Sequence, residues 1–263
     1  MQILVRILLA IYLAHLLTDF VLQTRGIVEQ KRRGKLAGYL LHGLIHYIAG
    51  ISLLGFFVKG SALSLRTHIV LILLTLVHLA IDFAKMRLTA VEILNDGSLA
   101  YLSDQLFHLL TVALAAWMLA PGVSFTQLLG LAGGLRATQT KWLAAPAIYI
   151  LTVFGGGYLI RYATRTMAED LKHEISGKSG QQLQNAGLYI GWLERFLVMT
   201  ALLLQSPMTI GLIFAAKSIA RYPEFKSERF AEYFLIGTLL SISLAIFGGA
   251  LLAKVLFGVV RFS

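Results

Sequence analysis

Four pairs of histidine and aspartate carry the chemistry of this sequence. They read His15-Leu-Leu-Thr-Asp19, His42-Gly-Leu-Ile-His46, His78-Leu-Ala-Ile-Asp82 and Asp104-Gln-Leu-Phe-His108. In each pair the two residues are four apart, so on a helix they share one face, with Cβ atoms about 5–6 Å apart. One helix can then give two ligands to one metal, as the paired histidines of zinc-protease helices do. Imidazole and carboxylate together suit zinc, manganese or iron. Eight candidate ligands exceed the needs of one ion, and the pattern predicts two.

The elements that carry these pairs are membrane helices. The chain of 263 residues is 57% hydrophobic and 14% charged, and its mean hydropathy is +0.76. Soluble domains carry roughly 25% charged residues. A spanning helix needs about 20 mostly apolar residues. Candidate spans are Ile3 to Leu22, Leu36 to Val58, His68 to Phe83, Leu99 to Leu119, Trp142 to Ile160, Gly187 to Leu204 and Ala231 to Phe257. A shorter segment, Pro207 to Tyr222, either tilts across or re-enters. The fold class is therefore an all-α polytopic transmembrane bundle of about eight helices. The N-terminal apolar run has no small-residue cleavage site and carries His15 and Asp19, unlike a signal peptide. Cys is absent, which excludes disulfides and thiolate ligands.

Charge sets the orientation. The formal net charge is +10, which in a membrane protein belongs to cytoplasmic loops facing anionic lipid rather than to nucleic-acid binding. With the N-terminus outside, the inner connections hold Arg25, Lys31, Arg32, Arg33 and Lys35, then Lys85 and Arg87. Further on they hold Arg161, Arg165, Lys172 and Lys178, then Arg221, Lys226 and Arg229. The outer side keeps Arg6, Lys59, Arg66, Arg136, Lys141, Lys254 and Arg261, a bias of about two to one. The expected location is the inner cell membrane, with both termini outside and the His/Asp site toward the cytoplasm. A re-entrant short segment would move only the C-terminus.

Depth and repetition make the pairs converge. The first and third spans run inward with their pairs near the end. The second and fourth return outward with their pairs near the start. His15 and Asp19 recur as His78 and Asp82 after 63 residues, and His42 and His46 as Asp104 and His108 after 62. Two tandem hairpins related by a pseudo-two-fold axis along the membrane normal would bring two half-sites together. Thr18, Gln23, Ser103 and Gln105 flank the pairs and could orient imidazoles or water. Membrane ionisable groups also serve as glue between helices or as steps of a proton or ion path. Glue is an expensive use, since an Asp at a helix centre costs about 2.5–3.5 kcal/mol on insertion scales. Three aspartates, each with a histidine one turn away, favour metal.

The organisation divides into 1–120, a metal-site half of two hairpins; 121–161, a connection and fifth span; 162–186, a cytoplasmic linker; and 187–263, the C-terminal helices. The linker predicts a short amphipathic helix ending at Gly177 and then a flexible turn, lying on the membrane surface or acting as a plain connection. In the last part, Glu194 and Glu232 either neutralise Arg195, Lys217 and Arg221, or leave these three cations to bind an anionic substrate group such as a phosphate. Gly155-Gly-Gly157 marks a flexible or tightly packed point, and Gly187 and Gly191 a close-packing face.

With these motifs the chain resembles a bacterial integral-membrane family, domain of unknown function 3307. The resemblance runs through Ala14 to Gln23, His42 to His46, His78 to Asp82 and Asp104 to His108. It continues in Ile190 to Arg195, Ala215 to Arg221 and Ala231 to Ser241. It implies no activity. More loosely, the His and Asp pattern of the first half is similar to that of membrane-bound metal-dependent hydrolases. The expected function is a membrane metallohydrolase. Two ions held by His15, Asp19, His42, His46, His78, Asp82, Asp104 and His108 would lower the pKa of a coordinated water toward about 7 for attack. One of Asp19, Asp82 and Asp104 can act as base instead of ligand. A lipid or lipid-linked phosphoester, or another anionic substrate, is expected from a site near the headgroup layer. The rival readings are a transporter of metal ions or protons, and a non-catalytic anchor or sensor with a structural metal.

Overall fold

In lipid a backbone finds hydrogen-bond partners only within itself, so long apolar runs must become helices. The computed structural model describes residues 2–58, 64–120, 138–175 and 186–258, together with Gly60 and Gly122, and these hold helices, turns and no strand. The helices are α1 (Gln2–Leu17), α2 (Arg25–Arg32), α3 (Leu36–Phe57), α4 (Leu65–Ala90), α5 (Ser98–Leu119) and α6 (Thr138–Ile150). They continue as α7 (Gly156–Ala163), α8 (Arg165–Ile175), α9 (Ala186–Leu203), α10 (Met208–Arg221) and α11 (Glu228–Phe257). Two π turns, Thr18–Leu22 and Leu151–Gly155, follow α1 and α6. Among the described residues seven helical stretches are long and apolar enough to span, which makes the chain a polytopic membrane protein.

The chain divides into two units, Met1–Ile150 and Leu151–Ser263. The boundary falls inside the stretch read from sequence as 121–161. In the first unit α1 and α4 each pack against both α3 and α5, so the four long helices close into a ring. The ring agrees with the two-hairpin repeat: exchanging α1 for α4 and α3 for α5 maps each of the ring's four helix pairings onto another. α6 breaks the symmetry by packing on α1. As a result 56% of the apolar window of α1 is buried inside the protein, against 17% of that of α4, which leaves α4 to face lipid.

Two elements of this unit differ from the sequence expectation. Arg25–Arg32, read as a charged loop, is a helix, because Ile27 and Lys31 lie one turn apart and are both buried on its packed side. α4 runs seven residues past Phe83 to Ala90, through Lys85 and Arg87. Ala, Lys, Met, Arg and Leu are good helix formers, and long basic side chains keep their charge near water while the helix continues.

In the second unit α10 has fourteen residues, about 21 Å at 1.5 Å per residue, short of a hydrocarbon core of about 30 Å. It folds back along α9, with Lys217 Nζ 2.8 Å from Glu194 Oε2. Phe230 and Phe234 at the start of α11 pack on Leu171 of α8. The short helix thus returns the chain to the level of α8. The linker helix is present as α8; Gly177 and Lys178 lie outside the described residues, as do Lys59, Arg136 and Arg261.

Candidate metal centre

Helical periodicity stacks the polar residues of the first unit in layers. One layer holds His15, His46, His78 and His108, one from each ring helix. The next, one turn along every helix, holds Asp19, His42, Asp82 and Asp104. Five of the chain's seven histidines are here. His15, His42, His78 and His108 are at most 3% exposed, and Asp104 is buried.

The side chains of the two hairpins interlock. His46 Nε2 lies 2.8 Å from Asp19 Oδ1 within the first hairpin. His108 Nε2 lies 3.5 Å from both Asp82 Oδ1 and Asp104 Oδ1 within the second. Across the hairpins, His78 Nε2 is 3.5 Å from Asp19 and His42 Nε2 is 3.6 Å from Asp82. His78 reaches His42 through Nε2 and His108 through Nδ1, each at 3.0 Å. Two ligands bound to one zinc at 2.0–2.1 Å with tetrahedral angles stand about 3.4 Å apart. The recurring 3.4–3.6 Å contacts between these carboxylates and imidazoles have that spacing. Three groups have ligand atoms within 4.8 Å of one another: His15, Asp19, His46 and His78; His42, His78 and Asp82; and Asp82, Asp104 and His108. All eight residues predicted from the sequence are therefore brought together.

Their unfilled valences fit a cation. His15 Nε2, His42 Nδ1, His108 Nε2 and Asp104 Oδ1 are buried without a hydrogen-bond partner. A buried polar atom left unpaired costs about 1–3 kcal/mol. Four in one cluster, two of them (His108 Nε2 and Asp104 Oδ1) facing each other at 3.5 Å, leave coordinating capacity that a bound ion or water could use. On the far side of the histidine layer lies a cavity of about 20 Å³, lined by the histidines together with Ile11, Gly50, Leu71, Thr75 and Val112. That is room for a single water molecule.

Flanking groups fix the ligands. The π turn after α1 carries Asp19. Inside it Thr18 Oγ1 donates to the His15 carbonyl and stands 2.7 Å from His46 Nε2. Such turns are frequent at functional sites because they re-aim one residue within a helix. Gln23 Nε2 is 3.4 Å from His42 Nε2, and Gln105 Nε2 donates to Asp104 Oδ2 at 3.2 Å. Ser103 instead donates to the Leu99 carbonyl on its own helix.

Two residues that the sequence reading placed among the inner-loop charges belong to the site. Lys31 of α2 is buried and its ammonium group is paired with Asp82. Lys85 Nζ is 3.0 Å from Asp104 Oδ2. Lys85 could have been found from spacing, since it lies seven residues after His78 and three after Asp82 on one helix face. For Lys31 the only signal is its place one turn after Ile27.

The three cations proposed for the second unit have separate partners. Arg195 is buried and donates through Nε and Nη2 to the Val153 carbonyl in the π turn, and through Nη1 to Ser241 Oγ. Lys217 is paired with Glu194, Arg221 with Glu224, and Glu232 is exposed. The glycine run is a tightly packed point: a Cβ on Gly157 would meet Arg195 Nη2 and Trp192 Nε1 at 2.5 and 2.7 Å.

The fold and site define a class: a polytopic helical membrane protein with a buried His/Asp/Lys centre between two helix hairpins. Residues 7–129 match the family described as "Protein of unknown function (DUF3307)", and this stretch contains every residue of the centre. The resembling segments after Ile190 lie outside the matched residues. No curated protein and no solved structure matches the chain.

Proposed function

We propose that the chain is a membrane-embedded metal-dependent hydrolase of the inner cell membrane, with a dinuclear His/Asp centre facing the cytoplasm and an anionic, phosphoester or lipid-linked substrate. One observation carries this reading. Five histidines and three aspartates from four helices meet in one buried cluster, where four of their polar atoms make no hydrogen bond. Glue between helices would use those atoms in hydrogen bonds. Bound divalent ions would supply an activated water and polarise the bond to be cut. The imidazoles would hold the ions, Thr18 and Gln23 fix His46 and His42, and Asp104, whose Oδ1 makes no hydrogen bond and meets His108 only at 3.5 Å, is the aspartate best placed to accept a proton. Beyond the histidines the cavity wall is mostly apolar, Ile11, Leu71, Leu74 and Val112 with Thr75 and Thr111, and carries no further ionisable group, which counts against an ion path.

The test is metal content and turnover of the full chain in mild detergent. Two equivalents of zinc, manganese or iron are expected, with metal-dependent cleavage of p-nitrophenyl phosphoesters that His46→Ala and Asp82→Ala abolish. A wild-type protein holding no stoichiometric metal ends the proposal. Metal flux into proteoliposomes without turnover would favour a transporter, and full function of His46→Ala a non-catalytic anchor.

A further inference from the structure

Lys31 and Lys85 come from unrelated elements, yet their ammonium groups have the same surroundings. Each touches an aspartate of the cluster, Asp82 or Asp104. Each also lies over the face of a tyrosine, Lys31 over Tyr39 at 5.7 Å and Lys85 over Tyr101 at 6.0 Å, within reach of a cation–π interaction. Tyr39 and Tyr101 are 62 residues apart, the offset that relates His42 to Asp104 and His46 to His108. The hairpin repeat therefore continues one turn beyond the carboxylate layer, on the side away from the cavity. There it forms two matching aromatic seats, each occupied by a cation.

Charge balance says what these cations face when the centre is loaded. Imidazoles that hold a metal are neutral, so three aspartates and two lysines would leave one net negative charge before the ions are counted. One divalent ion makes the cluster singly positive, and two make it triply positive. Uncompensated charge in a low-dielectric bundle is costly, and it falls when an anion enters. Bound metal ions would compete with the lysines for Asp82 and Asp104. The tyrosine faces would then keep the ammonium groups in place and, unlike carboxylates, leave donors available to an anion.

We infer that Lys31 and Lys85, seated on Tyr39 and Tyr101, form the anion-recognition frame of the centre and bind the phosphate-type group of the substrate. This rests on the metal-centre reading and assigns substrate binding within the first unit, without Arg195, Lys217 or Arg221. Lys85 is the accessible member, with its side chain 24% exposed against 2% for Lys31.

The probe is inorganic phosphate added to zinc-loaded full-length protein in detergent. Binding is followed by calorimetry, with metal content measured in parallel. Wild-type protein should bind phosphate saturably only when loaded with zinc. Lys85→Met should keep both ions and lose at least tenfold in phosphate affinity, and Lys85→Arg should recover part of it. Phosphate bound equally by wild type and a zinc-loaded Lys85→Met protein overturns the inference while leaving the metal centre standing. Absence of zinc from the wild type overturns both. Competition by short-chain phosphatidic acid, and none by the matching phosphatidylcholine, would assign the anion to a lipid headgroup; phosphate binding untouched by either would assign it to a soluble ester.

Discussion

Asp19 Oδ1 and His46 Nε2 stand 2.8 Å apart where α1 meets α3. Sixty-odd residues later the repeat makes the same pair again, with Asp82 Oδ1 and His108 Nε2 at 3.5 Å. The two pairs predict matched effects. Asp19→Asn and Asp82→Asn should each lower the bound metal from two equivalents to about one. His68→Ala, whose imidazole meets Tyr47 away from the cluster, should keep both. Elemental analysis of the purified variants decides it. Loss of both ions from either single variant would mean one shared centre instead of two half-sites.

Lys31 and Asp82 form a buried ion pair. Removing one partner of such a pair leaves the other charge stranded, at a cost of about 3–5 kcal/mol. Lys31→Met should therefore destabilise the metal-free protein, and added zinc should restore much of the loss by taking over Asp82. Thermal unfolding with and without zinc measures both. Equal melting of variant and wild type in chelator would contradict the buried pairing.

Gly38 sets how closely α2 approaches α3. A Cβ there would lie 2.7 Å from Gln30 Cβ and 3.0 Å from the Lys31 backbone nitrogen. Overpacking of this kind costs about 1–3 kcal/mol. In Gly38→Ala, α2 should shift outward and draw Lys31 off Asp82. Lys31 should resist amine-reactive labels in the wild type and react in the variant, as read by mass spectrometry.

Orientation can be read with single cysteines, because the chain has none of its own. Asn95, exposed in the α4–α5 connection, and Ser64, exposed before α4, lie at opposite ends of that helix. Asn95→Cys should react with a membrane-impermeant maleimide only from the cytoplasmic side, and Ser64→Cys only from the outer side. The reverse pattern would turn the centre to the outer face.

Gly157 leaves space for the Arg195 guanidinium at the Val153 carbonyl. Gly157→Ala should lower stability by about 1–3 kcal/mol through overpacking. The expected readout is a lower detergent melting temperature with metal content unchanged, since the cluster lies in the other unit.

By itself the sequence determined the spans, the one-turn spacing of each His/Asp pair and the common depth of all four pairs. Hydropathy and the 3.6-residue period are local properties that survive without knowledge of any neighbour. It could not fix the rotation of each helix about its axis, which packing decides. That rotation is what lets Asp19 reach His78 across the hairpins and brings Lys85 to Asp104. Nor could hydropathy reveal Lys31. A charged residue in a short polar segment looks like an inner-loop cation, and only the docking of α2 onto α3 carries its ammonium group under the bundle. The central position of α1 has the same origin: α6 lies beside it in space because of tertiary packing, and nothing in the composition of either helix says so.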